Sequence, residues 1–224
     1  MSYDADFNTT VESATVVPTL NQVWLTAFLN PVPGYLSILD LNNSRVFRPT
    51  LTGPAAHLLV NPNGGYYHSG LVYLSSFGDP KTSPTIVTID PFTYGTIETV
   101  NSFYGLPLNG SNDIAVATSR TTAQPSLFYS DFYFAAEGLP GVWSAPQQLP
   151  NAVYRFQPTE QSLAMVISPL DVQTANGLAV DKNNTVLYVT EGPDSAVFGQ
   201  STTNRLAPQV STSSISEVEM NVHL

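Results

Sequence analysis

The feature that most constrains the fold is a strand and turn unit that recurs four times along the chain. Each unit contains a segment rich in β-branched and aromatic residues, and these segments lie at residues 23–27, 71–75, 127–131 and 186–190. Short apolar runs bounded by Gly, Pro, Asn and Asp are typical of β-strands. Repetition at a period of roughly 40 to 50 residues is typical of propellers and related arrays. The sequence therefore predicts an all-β fold, and a β-propeller in particular.

Two further strands are predicted in each unit. The first strands are expected at residues 11–17, 57–60, 112–117 and 176–180, and the third strands at residues 36–41, 85–91, 152–158 and 215–220. Three or four strands per unit correspond to one propeller blade. A β-sandwich is the alternative on pattern alone, although the Pro-rich insertion at residues 134–150 is harder to place in one. We expect residues 1–224 to form a single partial β-propeller domain with a frayed or disordered tail from about residue 200.

The charge balance bears on the partners. The net charge is −10 and the chain holds only seven Lys and Arg residues, which argues against nucleic acid because that partner is bound through clustered basic side chains. No apolar run is long enough to cross a bilayer, so no membrane partner is expected. The absence of cysteine excludes disulfides and thiolate metal sites.

The sequence carries two weak and opposing signals about the cellular compartment of the protein. The opening residues have neither a basic nor an apolar signal-peptide region, so a cytoplasmic location is the default expectation. Acceptor patterns for N-glycosylation at Asn8, Asn42, Asn109 and Asn183 point instead to secretory ancestry.

Three polar residues stand at the start of first strands. They are Glu12, Asn112 and Asn176. In a propeller the first strands line the central channel, so these side chains are expected to converge there. A carboxylate with side-chain amide oxygens is a hard, oxygen-only donor set, which suits Ca²⁺ or another divalent cation. Asn-Gly and Asn-Asp are also ordinary turn pairs, and it is their recurrence that favours a site.

Several short motifs carry a family resemblance. They are Asn63-Gly64-Gly65 with residues 70–73, residues 103–113, Tyr129-Ser130-Asp131, residues 149–156, and Asn176-Gly177-Leu178-Ala179 with residues 187–190. In this order the motifs resemble the gluconolactonase and senescence-marker-protein-like family of calcium-dependent lactonases, most closely its fungal members. The resemblance implies a six-bladed propeller with one catalytic divalent cation in the channel.

The same resemblance implies roles for the three polar residues. Glu12 and Asn176 match metal ligands of the family, and Asn112 matches an asparagine that binds the metal or the substrate. Val11-Glu12-Ser13 departs from the usual His-Glu-Ala of the family. The family's aspartate in a Pro-Asp-Gly motif of blade five has no counterpart here. The chain is therefore expected to be truncated after about four of six blades, and no catalytic base is assigned.

The resulting functional hypothesis is a metal-dependent hydrolase that opens a lactone or a related ester. The resemblance makes it a calcium-dependent carboxylic ester hydrolase, while the missing aspartate predicts that this chain alone is a poor catalyst. The alternatives are a non-catalytic propeller that serves as a binding or accessory protein, and an inactive truncated gene product. An open arc of blades also predicts self-association through exposed blade edges. A sugar lactone, a polyketide lactone and an organophosphate ester all remain candidate substrates.

Overall fold

The computed structural model describes residues 11–27, 34–120, 122–133, 143, 145–192 and 215–219. Within these residues the strands form four larger sheets, and each sheet is an antiparallel meander whose strands pair in chain order. The sheets follow one another along the chain as blades 1 to 4. The predicted all-β propeller fold, with four blades present, is confirmed.

Blades 1 and 2 each contain four strands. Blade 1 consists of β1 (Val11–Val17), β2 (Gln22–Ala27), β3 (Tyr35–Asp40) and β4 (Arg45–Phe47). Blade 2 consists of β5 (Pro62–His68), β6 (Leu71–Ser76), β7 (Thr85–Ile89) and β8 (Thr96–Val100).

Blades 3 and 4 follow a short hairpin, which is made of β9 (Ser102–Phe103) and β10 (Leu106–Pro107). Blade 3 consists of β11 (Ser111–Thr118), β12 (Pro125–Asp131), β13 (Ala152–Gln157) and β14 (Ser162–Ile167). Blade 4 has three described strands, β15 (Ala175–Val180), β16 (Val186–Glu191) and β17 (Ile215–Glu219).

The helices of the described residues are two single 3₁₀ turns, at Pro18–Leu20 and Ala56–Leu58. No helix in this part of the chain is long and apolar enough to cross a bilayer.

The core lies between the blades rather than inside one of them. Trp24 and Leu74 are buried between blades 1 and 2, Tyr129 between blades 2 and 3, and Val153 and Leu187 between blades 3 and 4. Because a middle blade is covered on both faces, its central strands carry apolar residues on both sides. All five residues of β7 are buried for this reason. This packing explains the near-continuous apolar runs from which the strands were predicted.

The predicted strand positions are confirmed to within a few residues except in two respects. The fourth strands β4, β8 and β14 were not anticipated individually. The prediction that the first strand of the second unit lies at residues 57–60 is wrong. That strand lies at Pro62–His68, and His57 lies in a 3₁₀ turn. The Asn61-Pro62-Asn63-Gly64-Gly65 segment has the composition of a turn. It enters the strand instead, because its glycines lie against neighbouring atoms that leave no space for a side chain.

Candidate functional site

The first strands of successive blades lie side by side. Strand β1 contacts β5, β5 contacts β11, and β11 contacts β15. Each of these strands has a β-bulge near its beginning, where the register against the second strand shifts. The shift follows the pairs Val11 with Ala27, Pro62 with Ser76, Ser111 with Asp131, and Ala175 with Glu191. A bulge turns a side chain away from the regular ladder, and bulges are frequent beside active sites.

The residue after each of these pairs is here called the bulge residue. The four bulge residues are Glu12, Asn63, Asn112 and Asn176. The structure therefore places the three predicted site residues at one repeated position. It adds Asn63, which the sequence interpretation missed because it placed the first strand of blade 2 too early. The signal was present, since Asn63-Gly64 repeats the Asn176-Gly177 pair of blade 4.

Glycine follows the bulge residue in blades 2 and 4 because the strands approach closely there. A side chain on Gly64 would collide with the Asn112 carbonyl and lie 2.5 Å from the Asp113 Cα, and one on Gly177 would lie 2.9 Å from the Thr190 hydroxyl. Both distances are too short for a real Cβ contact. Gly64 thus lets the backbone of the next blade come close, whereas Gly177 leaves room for the Thr190 side chain.

Two bulge residues are almost removed from water. Asn63 is 6% exposed and Asn112 is 7% exposed, and neither side-chain amide forms a hydrogen bond with another described residue. The two amides therefore keep hydrogen-bonding capacity that ordered water, an ion or a ligand can use. They are candidate ligand-binding groups at this end of the first strands.

Glu12 differs from the asparagines. The residue as a whole is exposed, yet nearby protein atoms partly bury its carboxyl and raise its pKa above the ordinary value of 4.5. Binding of a ligand depends on the carboxyl rather than on the whole residue, so the partial desolvation of the carboxyl matters more here than the exposure of the residue. A carboxylate in such surroundings gains from a nearby cation.

Asp113 is a second carboxylate beside the bulge residues, and it was not predicted. Its two oxygens accept N–H hydrogen bonds from Ile114 and Leu178, each at 2.8 Å, so it links blade 3 to blade 4. On the other side, its Oδ1 lies 2.8 Å from where a Cβ on Gly64 would be. Burial raises the pKa of Asp113. This carboxyl thus sits between the first strands of blades 2 and 4 and next to Asn112.

The loop that precedes Asn112 is held by Asp131. This fully buried carboxyl accepts N–H hydrogen bonds from Asn109 at 3.0 Å and from Gly110 at 2.9 Å. Burial raises its pKa to about 6. The Asn109 amide donates to the Leu149 carbonyl and the residue is 4% exposed. The amide of the Asn109 acceptor pattern is therefore hydrogen-bonded and nearly buried in the folded protein.

The donor atoms at this position limit which metal ion the residues could hold. Among the residues that the structure describes, no three His, Cys, Asp or Glu side chains cluster in a way that could hold an ion. The bulge residues offer a different set, one carboxylate with three side-chain amides. Calcium accepts such neutral amide oxygens together with carboxylates and water. The residues present thus fit a hard cation and do not fit zinc or copper.

Comparisons with known proteins agree with this fold. No protein-family model matches the sequence. The lactonohydrolase oryL of Aspergillus oryzae is 27% identical over 197 residues, which are 84% of this chain and 42% of that protein. A solved structure described as a candidate gluconolactonase superposes with a TM-score of 0.65 at 20% identity, over 84% of this chain and 57% of the other.

The chain is thus similar to a lactonohydrolase in sequence and to a gluconolactonase-like structure in fold. It spans less than half the length of its curated lactonohydrolase relative. A more distant structural neighbour is the GH74 enzyme of Niastella koreensis, with a TM-score of 0.54 at 10% identity, over 94% of this chain and 28% of that one. At such low identity the likeness concerns the fold alone.

Proposed function

We propose that this protein is a lactone hydrolase that uses a divalent cation, Ca²⁺ in the first instance, bound by Glu12, Asn63, Asn112 and Asn176. The observation that supports the proposal most strongly is the pair of nearly buried amides, Asn63 and Asn112, which have no hydrogen-bond partner among the described residues. They stand at the same repeat position as a carboxylate, Glu12. A cation with its bound water or substrate would satisfy all of these groups.

The substrate class rests on the relatives. The name of the Aspergillus oryzae relative states that it acts on lactones. The chain covers only part of that protein, so lactone hydrolysis is proposed here rather than transferred. A sugar lactone, a polyketide lactone and an organophosphate ester all carry a polarisable carbonyl or phosphoryl oxygen that this site would accept.

Each residue of the site has a distinct task in the proposed reaction. A bound divalent cation would supply electrophilic polarisation of the ester carbonyl. Glu12 would contribute the negative charge that attracts the cation. The three asparagines would contribute neutral oxygens that hold it without cancelling its charge. Asp113 keeps the first strands of blades 3 and 4 at their spacing through its bond to Leu178.

Lactone hydrolysis under controlled metal content tests the proposal. The purified chain is assayed by pH-stat titration with a sugar δ-lactone, a longer-chain γ-lactone and an organophosphate ester, each with Ca²⁺ and after exhaustive chelation. We expect ring opening of at least one lactone that is lost on chelation and restored by Ca²⁺. We also expect Asn176→Ala to lower kcat/KM by at least tenfold, because an electrophile held by fewer ligands is held less well.

The matched control is Asn101→Ala, which removes the same side chain from an exposed loop position. It should leave the rate unchanged. Lactone hydrolysis that survives chelation would overturn the metal-dependent mechanism. Calcium binding without hydrolysis of any of the three substrates would favour the non-catalytic binding propeller instead.

A further inference from the structure

Four hydroxyl groups occupy one repeated place on the second strands of the blades. Each accepts a hydrogen bond from a backbone N–H in the bulge of its own blade. In each pair the backbone N–H of the first residue donates to the hydroxyl of the second. The pairs are Ser13 to Thr26 at 3.1 Å, Gly64 to Ser75 at 2.8 Å, Asp113 to Ser130 at 3.0 Å, and Gly177 to Thr190 at 2.8 Å. The bulge interrupts the strand ladder, so these N–H groups need an acceptor that the ladder does not supply.

Three of the same hydroxyls also reach into the next blade. The Thr26 hydroxyl donates to the carbonyl oxygen of Asn63. The Ser75 hydroxyl donates to the carbonyl of Asn112 at 2.5 Å, and Ser130 donates to the carbonyl of Asn176 at 2.5 Å. Every acceptor in this set is a bulge residue. We call Thr26, Ser75 and Ser130 the interblade hydroxyls.

A hydroxyl can play both parts because it carries one donor hydrogen and two acceptor lone pairs. Its hydrogen bond to the carbonyl fixes the orientation of the peptide group that follows the bulge residue. That orientation sets the direction of the Cα–Cβ bond, and so the place from which the side-chain amide reaches the site. The amides of Asn63 and Asn112 have no described hydrogen-bond partner of their own, so their position depends on the backbone and on packing.

We propose that Thr26, Ser75 and Ser130 are positioning residues, which orient Asn63, Asn112 and Asn176 for ligation without touching the ligand. The proposal deepens the metal-dependent function above and rests on it. It assigns each of the three asparagine ligands a support in the preceding blade. A merely structural role would make the same hydroxyls matter to folding but not to cation affinity.

Isosteric substitution separates these two roles at Ser75. Thr26 and Thr190 show that threonine fits this repeat position, so Ser75→Thr keeps the hydroxyl, whereas Ser75→Val has the same shape without it. We expect Ser75→Val to weaken Ca²⁺ binding about tenfold by calorimetry and Ser75→Thr to remain within about twofold of the parent protein. Ser130→Val and Ser130→Thr repeat the test independently if one valine variant fails to fold.

The matched control is Ser76→Ala on the same strand. Ser76 is also fully buried, and its hydroxyl bonds the backbone of Val60 and Leu58 rather than a bulge residue. Its loss should lower the melting temperature and leave the calcium affinity unchanged. Equal calcium affinities for Ser75→Val and the parent protein, with a stability loss like that of Ser76→Ala, would overturn the positioning role.

A second measurement keeps this inference separate from the proposed function. If the parent protein neither binds Ca²⁺ nor opens a lactone, the proposed function fails, and the Asn112 side-chain amide is then followed by NMR in the metal-free protein. Positioning predicts that its resonance shifts or broadens in Ser75→Val and stays in place in Ser75→Thr and Ser76→Ala. An unchanged resonance in Ser75→Val would refute the inference on its own.

Discussion

The bulge of blade 1 and the bulges of blades 2 to 4 differ in charge and in support. Glu12 is exposed and carries the only carboxylate among the bulge residues, and no described hydroxyl donates to its carbonyl. The three asparagines each receive a hydrogen bond from the preceding blade. The candidate site therefore combines three neutral asparagines, whose backbone carbonyls are hydrogen-bonded, with one charged residue, Glu12, whose carbonyl has no such bond from a described hydroxyl. The asparagines would fix the geometry of the site, and Glu12 would attract a cation.

The largest effect is expected where the support of Asn112 is removed. Asp131→Ala leaves the buried N–H groups of Asn109 and Gly110 without acceptors, which should cost about 4 kcal/mol of unfolding free energy. Urea unfolding measures it. Asp171→Ala is the control, because that carboxyl also accepts a backbone N–H but is exposed. Similar losses in the two variants would show that the loop before Asn112 does not depend on Asp131.

The protonation of Asp131 gives a second test of how this buried carboxyl contributes to stability. Burial raises its pKa from 3.8 to about 6, so the folded protein holds the proton more tightly than the unfolded chain. The stabilisation from this group is complete below about pH 4 and is lost as the pH rises through about 6, with a limit of about 3 kcal/mol.

This pH dependence is measured by urea unfolding of the parent protein and of Asp131→Asn at about pH 4 and about pH 7. Asn keeps the shape of the side chain and does not ionise, so the shifts of Glu12 and Asp113 are common to both proteins. The stability of the parent relative to the variant should fall as the pH rises. A difference that grows with pH would contradict the raised pKa.

The charged member is tested by Glu12→Gln. If Ca²⁺ binds the native state, a hundredfold excess over its dissociation constant stabilises the protein by about 2.7 kcal/mol. The substitution keeps the shape and removes the charge, so most of this gain should disappear in a thermal melt. Glu160→Gln, at an exposed turn, should keep the full gain. A melting temperature that ignores both calcium and chelator would remove the cation site.

The smallest effect is expected at Asn63, one neutral oxygen among several. Asn63→Ala should weaken Ca²⁺ binding about tenfold, equivalent to about 1.4 kcal/mol, with little change in metal-free stability because the amide has no described partner. Calorimetric titration measures the affinity. Unchanged affinity would restrict the site to Glu12, Asn112 and Asn176.

The fold was predictable because strand composition and repetition are local signals. The second strands β2, β6, β12 and β16 were located by their apolar and β-branched residues. The first strand of blade 2 was misplaced because Asn-Pro-Asn-Gly-Gly is typical of a turn, and only the three-dimensional structure shows that Gly64 serves a close approach to Asn112. The outer strand β4 was missed because three partly exposed residues give almost no periodic signal.

The candidate site was predictable in part. Glu12, Asn112 and Asn176 were found because polar residues recur at the start of first strands. Asn63 was lost with the register of its strand. Asp113 and the interblade hydroxyls were not found, because a single Asp, Ser or Thr in a strand carries no signal about which neighbour it will contact. Aligned second strands would have shown a hydroxyl recurring at Thr26, Ser75, Ser130 and Thr190.

The hydrogen bonds of the interblade hydroxyls run across the boundary between blades, so the unit that repeats around the site is not the blade itself. It consists of the second strand of one blade together with the first strand of the next. Recombination at blade boundaries would separate each asparagine from its hydroxyl. Exchange of segments cut between the first and second strands, such as between β5 and β6, would keep the pairs intact. The modular unit for inheritance or redesign of this site is thus offset from the visible architecture.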